Sequence, residues 1–224
     1  MASLSKRLEV IAGMIPCGDN VCDVGTDHGY LPVFLALSGK YGNITATDIR
    51  QKPLENAKSN LEKSGVKNVR LLLCDGLEKV ERKDADTVII AGMGGEVIGG
   101  IIDRTPFLKD NVTLILQPMT AASYLREYLC RNGFEILFEI PIEENGKLYS
   151  VIKARFCGKS YECDGAFALV GKIDVKSECG RKYATKQLNV CRDVIKALCA
   201  SPEMQEKCKK FIKTEQTLTK LLEE

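Results

Sequence analysis

Apolar residues along this chain switch between two periods, and the switches mark out its elements. Leu4, Leu8, Ile11 and Ile15 recur at helical spacing with Lys6, Arg7 and Glu9 between them, which predicts a helix over 3–15, ended by Pro16-Cys17-Gly18-Asp19. Val21 to Val24 then read as a short buried strand running into Gly25-Thr26-Asp27-His28-Gly29 and a helix over 31–37. Strand-like and helix-like stretches alternate after that. Strands are predicted over 43–49, 69–74, 86–91 and 112–117, and helices over 53–64, 97–103 and 121–132. Gly39, Gly65 and Gly133 close three of these helices. Alternation of this kind implies an α/β fold with a doubly wound, largely parallel sheet.

The pattern changes at residue 134. Two strand-like runs, 134–142 and 147–156, are joined by Glu143-Glu144-Asn145-Gly146. Asn-Gly is a strong hairpin signal, so the last two strands are predicted to be antiparallel neighbours. A polar stretch over 157–164 reads as a linker. Beyond it, 186–199 and 203–222 carry helical apolar spacing, from Leu188, Val194, Ile195 and Leu198 to Phe211, Ile212, Leu218 and Leu222. Ser201 is the expected N-cap of the last helix, with Pro202 at its first position. Residues 170–177 fit either a helix or irregular structure. The expected division is a sheet-bearing domain over 1–157 and a small C-terminal α-helical domain over 158–224.

Composition narrows the classes. A hydrophobic fraction of 45% and a charged fraction of 28% are those of a globular chain. The formal net charge is +2, so any nucleic-acid surface must be a local patch. The segment 158–224 holds 13 Lys/Arg and 10 Asp/Glu, an excess of only +3. No apolar run approaches the ~18–20 residues of a membrane span. The opening residues show no apolar signal region, which predicts a cytoplasmic location. None of the 10 cysteines forms a C-x-x-C pair, and reduced thiols are expected. His28 is the only histidine, and too few other ligands accompany it for a metal site.

The candidate chemistry lies where strands end. Gly25, Asp48, Asp75, Gly92 and Gln117 all fall at predicted carboxyl ends, where ligands bind in doubly wound sheets. Their coincidence points to one site. The first turn reads Asp23-x-Gly25-x-Asp27-x-Gly29, whereas a dinucleotide loop reads G-x-G-x-x-G. Asp27 stands where the middle glycine would be, and its carboxylate would repel a pyrophosphate. This favours a ligand without phosphates, such as S-adenosylmethionine, over a nicotinamide dinucleotide. Asp48 lies 23 positions after Gly25, the distance at which an acidic strand end meets ribose hydroxyls. An ordinary loop aspartate is the other reading there, and an Asp-Gly turn is the other reading at Asp75-Gly76.

Four blocks together resemble one family. They are Asp23-Val24-Gly25-Thr26-Asp27-His28-Gly29-Tyr30-Leu31-Pro32, Ala91-Gly92-Met93-Gly94-Gly95, Leu116-Gln117-Pro118-Met119 and Glu144-Asn145-Gly146-Lys147-Leu148-Tyr149. This set resembles the bacterial tRNA (adenine-22-N1)-methyltransferases of the TrmK type, over roughly residues 4–155. The first block alone also resembles class I S-adenosylmethionine-dependent methyltransferases broadly. The resemblance implies a seven-stranded Rossmann-like sheet with an antiparallel last strand, a C-terminal helical domain, S-adenosylmethionine as cofactor and tRNA as substrate. It implies that Gly25 and Gly29 shape the methionine pocket and that Asp48 holds the ribose hydroxyls, with Ile49 beside the adenine. Asp75 would take the adenine amino group. Gly92 and Met93 would lie between cofactor and substrate, and Asp23, Gly76, Ala91 and His28 would complete the cofactor pocket. Asp27, His28 and Tyr30 would line the substrate side.

The reaction suits such residues. Adenine N1 already carries an in-plane lone pair, so the work is alignment rather than nucleophile activation. A carboxylate can accept from N6–H as positive charge develops on the ring. Asp27 is the first candidate and Gln117 the second, with Tyr30 available to stack on an extruded base. The Asn/Asp-Pro-Pro-aromatic motif of N6-amino methyltransferases is absent after the fourth strand. The cysteine that C5-pyrimidine methyltransferases need is absent between Cys74 and Cys130. Two other readings stay open: a methyltransferase for a small molecule or protein, and a module that binds S-adenosylmethionine or RNA without turnover.

Overall fold

The computed structural model describes residues 4–199 and 202–224. Seven strands form one sheet: β1 Val21–Val24, β2 Ile44–Asp48, β3 Val69–Leu73, β4 Thr87–Gly94, β5 Thr113–Thr120, β6 Phe134–Glu144 and β7 Lys147–Phe156. Their order is β3-β2-β1-β4-β5-β7-β6. The first five strands are mutually parallel, and β7 lies between β5 and β6, antiparallel to both. Flanking helices are α1 Lys6–Met14, α2 Tyr30–Ser38, α3 Gln51–Lys63, α4 Gly95–Asp103 and α5 Ala122–Arg131. The expected doubly wound sheet with an antiparallel last strand is therefore present.

Alternation along the strands divides the core. Cys22, Val24, Val88, Ile90, Leu114 and Leu116 face one side, with Ile98, Ile102, Leu125 and Leu129 of α4 and α5. Val21, Ile89 and Ile115 face the other, with Ile11 of α1 and Leu31 and Leu35 of α2. This is the period-two partition of a sheet covered on both faces. Register keeps the strand ends level: Val24 pairs with Thr47 and Ile90, Asp48 with Leu73, and Ala91 with Gln117. The turns that follow therefore open on one edge.

The C-terminal helices are α6 Gly165–Val170, α7 Glu178–Cys199 and α8 Gln205–Glu223. Two of them depart from the sequence pattern. α6 forms between the expected linker and the ambiguous stretch, where no element was predicted, capped by Asp164, whose Oδ1 accepts the Phe167 N–H at 2.7 Å. α7 begins eight residues before the predicted start at 186, because Tyr183 and Ala184 are buried in a third cluster with Val170, Ile173, Leu188, Cys191 and Leu218. The expectation of reduced thiols meets one exception. The reversal between α7 and α8 brings Cys199 and Cys208 together as a disulfide. The predicted N-cap Ser201 lies outside the described residues.

These helices dock on the sheet through a polar junction. Arg126 of α5 and Glu139 of β6 are both fully buried and joined at 2.8 Å. Arg126 also donates to the Ala168 and Leu169 carbonyls of α6, to Ser150 Oγ of β7 and to Tyr183 Oη of α7. Burial works against the guanidinium charge, but Glu139 and Tyr183 outweigh it and hold its pKa above the ordinary value. Among the described residues, no helix is long and apolar enough to cross a membrane.

Candidate active site

The strand ends surround a cavity of about 910 Å³. That volume is within the ~300–1,000 Å³ range of small-molecule sites. Asp75 lies beyond β3, Asp48 ends β2, Asp23 and Gly25 end β1, and Ala91 and Gly92 lie at the end of β4. Neighbouring strands are ~4.8 Å apart, so this row forms an elongated trough rather than a point site. Residues 4–8 of the N-terminal segment cover its far end, with Leu4, Ser5, Arg7 and Leu8 in the lining.

Each acidic group meets different surroundings. Asp23 is buried, and burial pushes its carboxyl up to about 6, with the Asp48 charge adding to the rise. Thr26 Oγ1 is buried without a hydrogen-bond partner. It lies close enough to Asp23 to pull against that rise, yet outside hydrogen-bond geometry. A buried carboxylate and an orphaned hydroxyl side by side are suited to an ammonium group. Asp48 is buried too, and its Oδ1 accepts the Arg50 N–H at 2.9 Å, which leaves Oδ2 for a ligand hydroxyl. Ile49 is 62% exposed and offers an apolar face beside it. Asp75 is half-exposed, and Arg104 Nη2 is 3.3 Å from both of its oxygens.

Two glycines divide the work of the first turn. Gly25 has φ of +75°, and a Cβ there would overlap Met93 Cε. Its bareness thus lets Met93, in the bulged end of β4, close over the β1 turn. Gly29 has φ of +69°, and a Cβ there would lie 2.8 Å from Ala57 Cβ. Gly29 does not line the cavity; it lets α2 approach α3. Asp27 adopts the left-handed region at φ of 51°, which aspartate tolerates better than most residues. Its carboxylate is exposed at the cavity mouth, 3.6 Å from His28 Nε2. His28 and Tyr30 stack with ring centroids 5.4 Å apart, which makes a flat aromatic surface beside that carboxylate.

Gln117 is placed differently from its expected role. It is fully buried and outside the cavity lining. Its Oε1 accepts the Gly92 N–H at 3.2 Å and an Arg7 Nη1 proton at 2.8 Å, and its Nε2 donates to the Pro118 carbonyl at 3.0 Å. Its amide is fully engaged inside the fold, so it braces the end of β4. Arg7 is one of the lining residues that sequence reasoning missed, with Thr26 and Arg50. Helical spacing marked it only as a polar position on α1, and nothing local ties it to residues more than a hundred positions away.

The carboxylates, the aromatic pair and the trough suit an elongated ligand with an ammonium group at one part and a ribose diol at another, next to a flat base. Similarity to known proteins agrees with this. A family model described as a methyltransferase domain matches residues 4–152. The tRNA (adenine(22)-N(1))-methyltransferase of Bacillus subtilis is 37% identical over 175 residues, which cover 76% of this chain and 72% of that protein. The crystal structure of the B. subtilis m1A22 tRNA methyltransferase TrmK superposes with a TM-score of 0.85 at 30% identity, covering 99% of this chain and 100% of that one. A putative tRNA (m1A22) methyltransferase of Streptococcus pneumoniae, in complex with S-adenosyl-L-methionine, gives a TM-score of 0.81 at 28% identity and covers 98% of this chain and 100% of that one. On its sequence and its whole fold, the chain belongs to the tRNA (adenine(22)-N(1))-methyltransferase family.

Proposed function

We propose that this chain transfers a methyl group from S-adenosylmethionine to N1 of adenine 22 in tRNA, and that it does so in the cytoplasm. The observation that carries the reading is the row Asp75, Asp48, Asp23 along one trough, with Asp27 at its open mouth. The row matches adenine, ribose and the methionine amino group in the order in which the cofactor presents them. When bound, S-adenosylmethionine supplies an electrophilic methyl group on a sulfonium.

Asp23, with the Thr26 hydroxyl, receives the ammonium. Asp48 accepts from the ribose hydroxyls and Asp75 from the adenine amino group, while Ile49 packs on the ring. Gly25, Gly76, Ala91, Gly92 and Met93 form the walls between them. On the substrate side, the His28–Tyr30 pair stacks on the extruded base. Asp27 accepts from N6–H, which orients N1 and stabilises the positive charge that develops on the ring. Gln117 keeps the Gly92 backbone in place and is a positioning residue. The C-terminal helices contribute phosphate contacts: Lys186, Lys207, Lys209, Lys210 and Lys213 are exposed, whereas Arg181 and Lys182 are engaged with Leu222 and with Glu143 and Glu178.

The test uses two tRNA transcripts, one with adenine at position 22 and one with guanine there. Incubation with S-adenosylmethionine followed by nuclease digestion and mass mapping should find 1-methyladenine at position 22 of the first only. Equal methylation of both, or none of either, would sink the assignment.

A further inference from the structure

We propose that the Cys199–Cys208 disulfide is a thiol–disulfide switch that sets how tightly the C-terminal helices hold tRNA, which rests on the reading that those helices contact tRNA phosphates. Eight cysteines are free thiols, four of them buried, and only this pair is joined. Disulfides in a reducing compartment are usually transient or redox-sensing. The bond closes the hairpin of α7 and α8 at its far end. Cys199 is the last residue of α7 and is exposed, so a small thiol can reach it. Cys208 lies in the first turn of α8, where the positive end of the helix favours a departing thiolate. Exposed disulfides are the labile, regulatory ones.

The bond clamps a part of the hairpin that core packing does not reach. Nearer the sheet, α7 and α8 are closed by Leu188, Cys191 and Leu218, with Ile195 and Phe211 packed at the edge of that cluster. From Lys196 to Lys210, Cys208 is the only buried residue among those described. Lys207, Lys209 and Lys210 flank it and are exposed. With the bond closed, the start of α8 is tied to the end of α7, and these ammonium groups stand on a fixed backbone. With the bond open, no buried apolar contact among the described residues replaces the tie, so ordering the start of α8 on tRNA costs entropy. Opening is a two-electron exchange. A small-molecule thiolate attacks the Cys199 sulfur, the S–S bond breaks, and its electron pair leaves on Cys208, which takes up a proton. A second thiolate attacks the outer sulfur of the mixed disulfide. Cys199 then leaves as a thiolate and is protonated, and the two small thiols depart joined as their own disulfide. Oxidised glutathione drives the reverse exchange.

The experiment equilibrates the full chain with reduced or with oxidised glutathione and follows the Cys199–Cys208 link by peptide mass mapping. Filter retention then measures tRNA binding, and calorimetry measures S-adenosylmethionine binding. The reduced protein should bind tRNA roughly 3- to 10-fold more weakly, the range for ordering about one further long side chain. Its affinity for S-adenosylmethionine should not change. The double variant Cys199→Ser, Cys208→Ser should match the reduced protein in both buffers. A link that glutathione does not open, a redox response that persists in the double variant, or an equal loss toward S-adenosylmethionine would each overturn the proposal. Equal tRNA affinity of the two forms would overturn it as well, and the double variant Lys207→Ala, Lys209→Ala then separates the causes. If that variant binds tRNA more weakly, the switch alone fails; if it binds equally, the phosphate-contact reading fails with it.

Discussion

Arg126 and Glu139, both fully buried, are paired at 2.8 Å beneath the C-terminal helices, and the pair joins those helices to the sheet. Removing one partner of such a pair leaves an unpaired buried charge, at a cost of about 3–5 kcal/mol. Glu139→Gln should therefore lower stability by that order in urea unfolding. Truncation after Gly158 removes the Ala168, Leu169 and Tyr183 partners and should destabilise the sheet unit as well. A truncated chain as stable as the full one would show that the junction contributes nothing.

Asp48 should matter to cofactor affinity and little to the fold. Its side chain already has one backbone partner, and the ligand's ribose would supply the rest. Asp48→Ala should weaken S-adenosylmethionine binding by about 1–3 kcal/mol, since the diol then loses its acceptor. Calorimetry showing unchanged affinity would remove the ribose role.

Asp27 should affect turnover and spare binding. It is exposed at the mouth and makes no buried contact, so Asp27→Asn should leave the melting temperature in place. Methyl transfer to tRNA should fall by roughly 10²-fold or more, as expected when a transition-state charge loses its partner. Single-turnover rates close to those of the unaltered protein would refute the role. Weakened S-adenosylmethionine binding would move Asp27 into the cofactor pocket.

Asp23 sets a pH dependence whose sign follows from its burial. Its folded carboxyl, at about 6 against an ordinary 3.8, holds its proton more tightly than the unfolded chain does. The unliganded protein therefore loses stability as pH rises from about 4 to 6, by up to about 3 kcal/mol, and keeps that cost above 6. Asp23→Asn removes the charge. Without cofactor it should be more stable than the unaltered protein at pH 8, with a smaller difference at pH 4. Cofactor binding by the unaltered protein should weaken as pH falls through about 6, because the ammonium then faces a neutral carboxyl. A stability difference between the two proteins that is constant over that range would contradict this account.

Much of the frame follows from the sequence alone. Period-two and period-3.6 apolar spacing reports which faces are buried, and burial is what forms β1 to β5 and α1 to α5. The Asn145-Gly146 turn determines the closing hairpin because backbone geometry at a two-residue turn is local. The acidic strand ends Asp48 and Asp75 were legible because a parallel sheet with level register brings all its carboxyl ends to one edge, whereas Asp23 came only from the family resemblance. The inward turn of Gln117, the reach of Arg7 into the site and the Arg126–Glu139 junction were decided only by the tertiary structure. Each depends on hydrogen bonds between strands and helices far apart in the chain, such as the 110 residues from Arg7 to Gln117. A polar side chain has the same local pattern whether it faces water or a distant partner, and only packing determines which.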